Sequence, residues 1–221
     1  MASHSLDVLG RITVPVPDPV VERVLRFTGA PVPARLSASV ILIRERDRTL
    51  EVYLMHRHAR MAFAASMVAF PGGGVDPADH DQPGDPILAC AVRELAEETG
   101  VRLGPAALAP WAHWVTPEVE PRRYDTRFFV AVVPDDQEPA DVSGEASAAG
   151  WATPSATLAG HRAGELGLMP PTQSILVELA GLGSVAAVLE AAADRVVQRV
   201  LPVPERVGDR WLFRYPHREI S

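Results

Sequence analysis

Apolar and polar positions along the chain alternate in runs that predict a mixed set of strands and helices. From Ser37 to Arg44 and from Glu51 to His56, β-branched and apolar residues predict two strands, and the charged stretch Glu45 to Thr49 between them predicts a hairpin turn. Further strands are expected near Trp111 to Thr116, Arg127 to Val133 and Trp151, and the segment Arg199 to Tyr215 returns to strand-like alternation. Asp18 followed by Pro19 is a helix-start signal, with Val20, Val21, Val24, Leu25 and Phe27 as the apolar stripe behind it. A second helix should run from Pro86 to Thr99, capped by Asp85 and stopped by Gly100. The alanine- and leucine-rich stretch Thr172 to Arg195 has helical spacing. Between Val68 and Val75, Phe70 and Pro71 precede three consecutive glycines, a place where the backbone can turn sharply and approach something closely. Residues 76–85, rich in Asp and Pro, read as an exposed loop. Strands mixed with helices on this scale predict an α/β sandwich. A single domain over residues 1–221 is expected, with a core near 36–160, an N-terminal extension 1–35 and a C-terminal helical and strand extension 161–221.

Composition narrows the function classes. At 221 residues, 47% of them hydrophobic, the chain can bury one substantial core. A formal net charge of -7 argues against binding along nucleic-acid backbone, which needs a basic stripe to displace counterions. The chain contains no lysine, so every fixed cation is an arginine, whose forked donors suit phosphate oxygens. The single cysteine, Cys90, has no internal partner, and the amino terminus lacks the basic-then-apolar pattern of a secretory signal. Apolar stretches are too short to cross a bilayer. A soluble, cytoplasmic protein with no nucleic-acid or membrane partner is therefore expected.

The helix from 86 to 99 carries the candidate chemistry. Glu94, Glu97 and Glu98 stand at i, i+3 and i+4, so three carboxylates leave one helix face. Leu88, Ala91, Val92 and Leu95 form the opposite face, suited to packing on a sheet. Arg93, four residues before Glu97, can pair with it and relieve the repulsion among the acids. On its own, such a cluster is also what a solvated helix face looks like. As a site it would take a hard divalent cation such as magnesium or manganese.

The ordered run Arg93-Glu94-Leu95-Ala96-Glu97-Glu98-Thr99-Gly100-Val101, preceded by the glycine turn Phe70 to Gly74, decides between these readings. It resembles the second half of the Nudix box, REUxEExGU with U aliphatic, at every specified position. The first half departs from the pattern: Asp85 stands where the family has a glutamate, and the glycines lie further upstream, so the loop before the helix carries an insertion. Asp85 is either a peripheral ligand or a helix cap, and its short side chain favours the cap.

The resemblance implies a Nudix α/β/α sandwich with a mixed β-sheet and a loop-helix-loop catalytic motif. It also implies hydrolysis of a diphosphate linkage in a nucleoside diphosphate derivative, a small nucleotide-type substrate, with Mg2+ or Mn2+ as cofactor. By that pattern Glu97 and Glu98 bind metal, Glu94 binds metal or accepts the proton of the attacking water, and Arg93 orients them. Many members use a further distant acid; Glu145 matches such a placement, with Glu118 and Glu120 as competitors. Arg57, thirteen residues before Phe70, resembles the spacing in coenzyme A diphosphatases, although His58, Ala62 and Ser66 depart from that signature. The runs Trp114 to Pro117, Arg122 to Phe129 and Leu168 to Thr172 resemble the same subgroup. Coenzyme A or acyl-coenzyme A is thus the first expected substrate, with ADP-ribose, a dinucleotide or a nucleotide sugar as alternatives. A non-catalytic nucleotide sensor is the other class, against which the retained box acids count. Substrate contacts are expected from the Gly72 and Gly73 backbone and from Arg57, Arg122 and Arg123. Trp111, Trp114 and Tyr124 are either adenine-stacking or core residues. Relatives that pair make a homodimer a further expectation.

Overall fold

The computed structural model describes residues 15–57, 67–144 and 146–215. Along the chain the elements are α1 (Asp18–Arg26), β1 (Arg35–Arg46), β2 (Thr49–Arg57), β3 (Met67–Ala69), β4 (Gly72–Gly74), α2 (Pro77–His80) and α3 (Pro86–Thr99). A short 3-10 turn at Pro105–Ala107 leads to β5 (Ala109–Val115), β6 (Tyr124–Val132), β7 (Ala146–Ala152) and α4 (Pro154–Arg162). The chain continues through β8 (Gly167–Leu168), α5 (Pro170–Leu182), α6 (Val185–Ala193), β9 (Arg199–Val200), β10 (Val203–Val207) and β11 (Arg210–Arg214).

The expected β1–β2 hairpin is closed by Asp47 and Arg48, both with positive φ (50° and 61°). Two left-handed central residues match the right-handed twist of the strands they join. One mixed sheet runs in the order β8-β3-β2-β1-β6-β5-β9, with β4 also paired to β1 and β7 to β2. The β1–β6 pair is parallel, while β1–β2 and β5–β6 are antiparallel. Val40 to Ile43 at the centre of β1 are fully buried, because both faces of the sheet are covered. Alternation sends Ala38, Val40 and Leu42 to one face, where they meet Ile87, Cys90, Ala91 and Leu95 of α3. Ile41 and Ile43 point the other way, onto Ile175, Leu176 and Leu179 of α5 and Val188 of α6. The result is the α/β/α sandwich with its mixed sheet.

Several local expectations change. Pro17 rather than Asp18 holds the cap position of α1, and the helix has no side-chain cap. The glycine run forms a strand, β4, against β1. Residues 76–85 are not all exposed loop: Asp76 and Asp79 form a capping box around α2, and Asp79 is buried. Thr172 to Arg195 holds two helices, because Gly183 ends α5 in the left-handed conformation (φ 72°) and Ser184 caps α6. Residues beyond 160 belong to the same layers, since β8 and β9 extend the sheet and α5 and α6 cover its second face. β10 and β11 make a separate two-stranded sheet, which Val16 joins by donating its N–H to Trp211 O. Among the described residues no single helix is long and apolar enough to cross a membrane.

The C-terminal helices are fastened to the sheet by a buried ion pair. Arg195 donates to both carboxylate oxygens of Glu178 (2.6 and 2.9 Å) and to Trp111 O, and its guanidinium lies 4.0 Å from the Trp111 ring centroid. Both side chains are 3% exposed, so losing one partner strands a charge in the core. Glu178→Ala should lower unfolding free energy by about 3–5 kcal/mol. The paired change Glu178→Leu with Arg195→Met should cost clearly less. Urea unfolding of the three proteins followed by circular dichroism checks both, and equal losses would refute the stranded-charge account.

Candidate active site

Helix α3 begins and ends where its local chemistry dictates. Asp85 Oδ1 accepts the Ile87 N–H at 2.9 Å, so Asp85 is the helix cap, and Gly100 closes the helix in the left-handed conformation (φ 75°). With Ile87, Cys90, Ala91 and Leu95 buried against the sheet, the remaining face presents Arg93, Glu94, Glu97 and Glu98 beside β4.

Two of the three acids are held against the glycine backbone. Glu98, only 6% exposed, accepts the Gly72 N–H at 2.7 Å. The Gly73 backbone lies so close to Glu94 that a Cβ there would overlap its carboxylate. A Cβ on Gly72 would instead strike the backbone of Ala38 and Ser39, which are the residues that β1 sets opposite Gly73 and Gly72. Ser39 Oγ, donating to Pro71 O at 2.9 Å, fixes the approach to these glycines. The glycines are therefore needed for close approach on both sides of one short strand. Glu97 is the outward acid, its side chain 59% exposed.

Arg93 organises the cluster. Its Nη1 donates to Glu94 Oε1 (2.8 Å) and Glu97 Oε2 (3.0 Å), and its Nη2 donates to Gly74 O (3.1 Å). Nε and Nη2 form a two-pronged bond to Asp79 Oδ1 and Oδ2, each 2.9 Å. The guanidinium thereby spans helix, strand and inserted loop. The Arg93 hydrogen bonds hold the Asp79 carboxyl below its ordinary range, and the carboxylates, Asp79 first, raise the arginine further. Cys90, beneath this layer, has its thiol pushed up to about 12 by burial and behaves as packing.

Asp79 is the site residue that sequence reading missed, because its segment looked like solvated loop. A signal was present: Asp76-Pro77-Ala78-Asp79 has an acid at the cap and another three residues on, a capping-box arrangement. Asp79 also donates order to the loop by accepting the Asp76 N–H at 2.8 Å.

The other expected site residues are distributed more widely. Glu145 lies outside the described residues, as does the Arg57 side chain, although Arg57 closes β2. Arg122 is exposed on the β5–β6 loop. Arg123, by contrast, is 7% exposed and ties that loop down, donating from Nε to Thr116 O (3.1 Å) and from Nη1 to Val32 O (2.8 Å). Glu120 is paired with Arg23 of α1 at 2.8 Å, whereas Glu118 is exposed. Trp111 and Trp114 are buried in the core and present no stacking face; Tyr124 is half-buried. His113 bonds Asp125 at 2.6 Å, and that bond holds the Asp125 carboxyl below its ordinary range.

Among the described residues no three His, Cys, Asp or Glu groups already converge as a finished metal cluster. The reason is visible in the bonds above: Arg93 Nη1 itself bridges Glu94 and Glu97, and Glu98 is turned to Gly72. The donor chemistry nevertheless fits a hard divalent ion, being carboxylate oxygen from one helix face with a bare glycine backbone alongside. Glu94, Glu97 and Glu98 are the residues that would hold it.

Comparison with known proteins agrees with this arrangement. Residues 33–170 match the NUDIX domain. A Caenorhabditis elegans protein carried under the name nudix hydrolase 7 is 28% identical over 173 residues, covering 62% of this chain and 57% of that protein. The chain thus matches little more than half the length of this curated relative. A NUDIX hydrolase crystal structure from Alicyclobacillus acidocaldarius aligns with TM-score 0.64 and 26% identity over 72% of this chain and 96% of the other. The NUDIX domain of Shewanella oneidensis NrtR, solved with ADP ribose, shares the fold with TM-score 0.52 and 16% identity over 75% and 98% of the two chains.

Two outcomes follow from the cradle and its arginine. Gly73→Ala should lower turnover by about 100-fold through displacement of Glu94 while shifting the melting midpoint little, because only a side-chain end must move. Gly72→Ala, which meets backbone, should lower both; matched kinetics and melting curves separate them. For Asp79→Asn, wild type should be the more stable above the ordinary carboxylate pKa, and the gap should shrink as pH falls through the depressed folded value, since protonation removes what the variant already lacks. Urea titrations from pH 7 down to 3 measure that gap; a gap independent of pH would exclude the Asp79–Arg93 charge pair as its source.

Proposed function

Because the chain belongs to the NUDIX domain family, we propose that it hydrolyses a diphosphate linkage in a nucleoside diphosphate derivative, using Glu94, Glu97 and Glu98 with magnesium or manganese. The observation that carries this reading is the glycine cradle, where the carboxylates of Glu94 and Glu98 meet the Gly72–Gly73 backbone under control of Arg93. A solvated helix face would not require a neighbouring strand to lack a Cβ at Gly73 in order to admit Glu94.

When bound, the divalent ion supplies neutralisation of phosphate oxygens and acidification of a water. The residues do the rest. Glu98, fixed by the Gly72 N–H, presents an oriented oxygen at the cradle floor. Glu97, outermost and held at its Arg93 contact, can turn toward an arriving cation. Glu94 lies where it can bind the ion or take a proton from the attacking water. Arg93, anchored by Asp79, keeps the acids from splaying apart when they are uncompensated. The missing Cβ at Gly73 leaves room for the Glu94 carboxylate on this floor, and the missing Cβ at Gly72 lets the strand lie against Ala38 and Ser39.

Coenzyme A or an acyl-coenzyme A is the first substrate in this reading, on the spacing of Arg57 before the Phe70 to Gly73 run. ADP-ribose, a dinucleotide or a nucleotide sugar would use the same machinery. Arg57 and Arg122 are the proposed phosphate contacts, and Glu145 the proposed distal acid. Buried Arg123 would act through the shape of its loop.

The test is a screen of purified protein against coenzyme A, acetyl-coenzyme A, ADP-ribose, diadenosine tetraphosphate and NADH with each metal, products being resolved by chromatography. Metal-dependent cleavage at a diphosphate is expected. Glu97→Gln with Glu98→Gln should lower it at least about a thousand-fold, since several kcal/mol of charge stabilisation disappear and 1.36 kcal/mol is tenfold. Undiminished turnover in that variant would overturn the assignment of these acids.

A further inference from the structure

Arg93 divides its donors between two sides. Its planar guanidinium carries N–H groups in a fixed fork, so the direction of each bond is set by the placement of the others. One side turns away from the acids: Nε and Nη2 donate to the two oxygens of Asp79 at 2.9 Å each, and Nη2 also donates to Gly74 O at 3.1 Å. The other side, Nη1, donates to Glu94 Oε1 at 2.8 Å and to Glu97 Oε2 at 3.0 Å. The Asp79 side is buried, whereas Glu97 is open to solvent. Asp79 cannot follow the arginine toward the acids, because its Oδ2 also accepts the Asp76 N–H at 2.8 Å in the capping box of α2.

Nη1 therefore stands between the two carboxylates that a shared cation would need. Two positive groups on the same pair of acids repel each other, so occupancy by one disfavours the other. The remaining bonds decide what the arginine does when it is displaced. Losing both Nη1 contacts still leaves the guanidinium its two-pronged bond to Asp79 and its bond to Gly74 O, so it can release the acids without leaving its place. That retention also keeps the buried Asp79 carboxylate paired. Without the Asp79 charge only Gly74 O would hold that side, and the arginine would go over to Glu94 and Glu97.

We propose that Asp79 sets the affinity of the acid cluster for its divalent cation by holding Arg93 as a tethered internal cation, one that competes for Glu94 and Glu97 but yields them on metal binding. Asp79 is thus a positioning residue that acts on the metal only through Arg93. The inference rests on the reading of Glu94, Glu97 and Glu98 as metal ligands. It gives the inserted loop a function in metal binding although the loop supplies no ligand, and no covalent bond is made or broken in the exchange.

A double-mutant cycle of Arg93→Gln and Asp79→Asn in the full chain tests it, with Mn2+ as the probe and free Mn2+ read by electron paramagnetic resonance in the absence of substrate. Arg93→Gln removes the competitor and should tighten Mn2+ binding at least about threefold; Asp79→Asn frees the competitor and should weaken it at least about threefold, both on the scale of couplings between contacting groups. In the Arg93→Gln background, Asp79→Asn should change nothing further. A measurement on the wild type avoids any folding defect in the variants: the 15N-edited NMR signal of the Arg93 Nε–H should persist when Mg2+ is added, because its bond to Asp79 survives. Weaker Mn2+ binding in Arg93→Gln, an Asp79→Asn effect that remains without Arg93, or loss of the Nε–H signal on adding Mg2+ would overturn the inference. Failure of the underlying reading shows separately, as Mn2+ affinity unchanged by Glu97→Gln with Glu98→Gln.

Discussion

Everything at the candidate site depends on how closely one short strand approaches one helix. β4 has no side chains, and for that reason α3 can bring Glu94 over Gly73 and Glu98 onto the Gly72 N–H. The same strand is pinned from its other side by β1, whose Ala38 and Ser39 leave no room for a Cβ at Gly72. A Cβ at Gly73 would displace the Glu94 carboxylate, and one at Gly72 would force the strand away from Ala38 and Ser39. The tolerance is a single methyl group, which places the site's geometry under direct control of the sheet's register.

That approach concentrates negative charge, and like charges this close destabilise a fold unless compensated. Arg93 compensates them while reaching beyond α3, to Gly74 O and to the buried Asp79. The inserted loop thus supplies the arginine's fixed anchor. Its capping box makes α2 rigid enough for a 3% exposed carboxylate to serve that purpose. Binding of a cation at Glu94 and Glu97 would exchange one positive partner for another, so the acids remain compensated in either state.

Behind the site, the two faces of the sheet have different work. One carries α3 on Val40, Leu42, Phe129 and Ala131 and transmits the position of the sheet to the carboxylates. The other is covered by α5 and α6, fastened by Arg195 between Glu178 and Trp111. β8 and β9 extend the sheet from the C-terminal third, so the frame of the site draws on residues far along the chain.

Local patterns in the sequence determined the elements and the family. The hairpin, the limits of α3, its Asp85 cap and Gly100 stop, and the run from Arg93 to Val101 were all legible because each rests on near-neighbour chemistry: alternation, caps and helical spacing. Long-range partnership was decided by the tertiary structure alone. Nothing local marks Asp79 as the acceptor for Arg93 fourteen positions away, commits Arg123 to Val32 O, or pairs Glu120 with Arg23. Nor does three glycines in a row reveal whether they form a turn or, as here, a strand laid against Ser37 to Ser39. Charged side chains announce that they need partners, but which partner each obtains depends on how layers pack and strands register, and that information exists only once the sheet has formed.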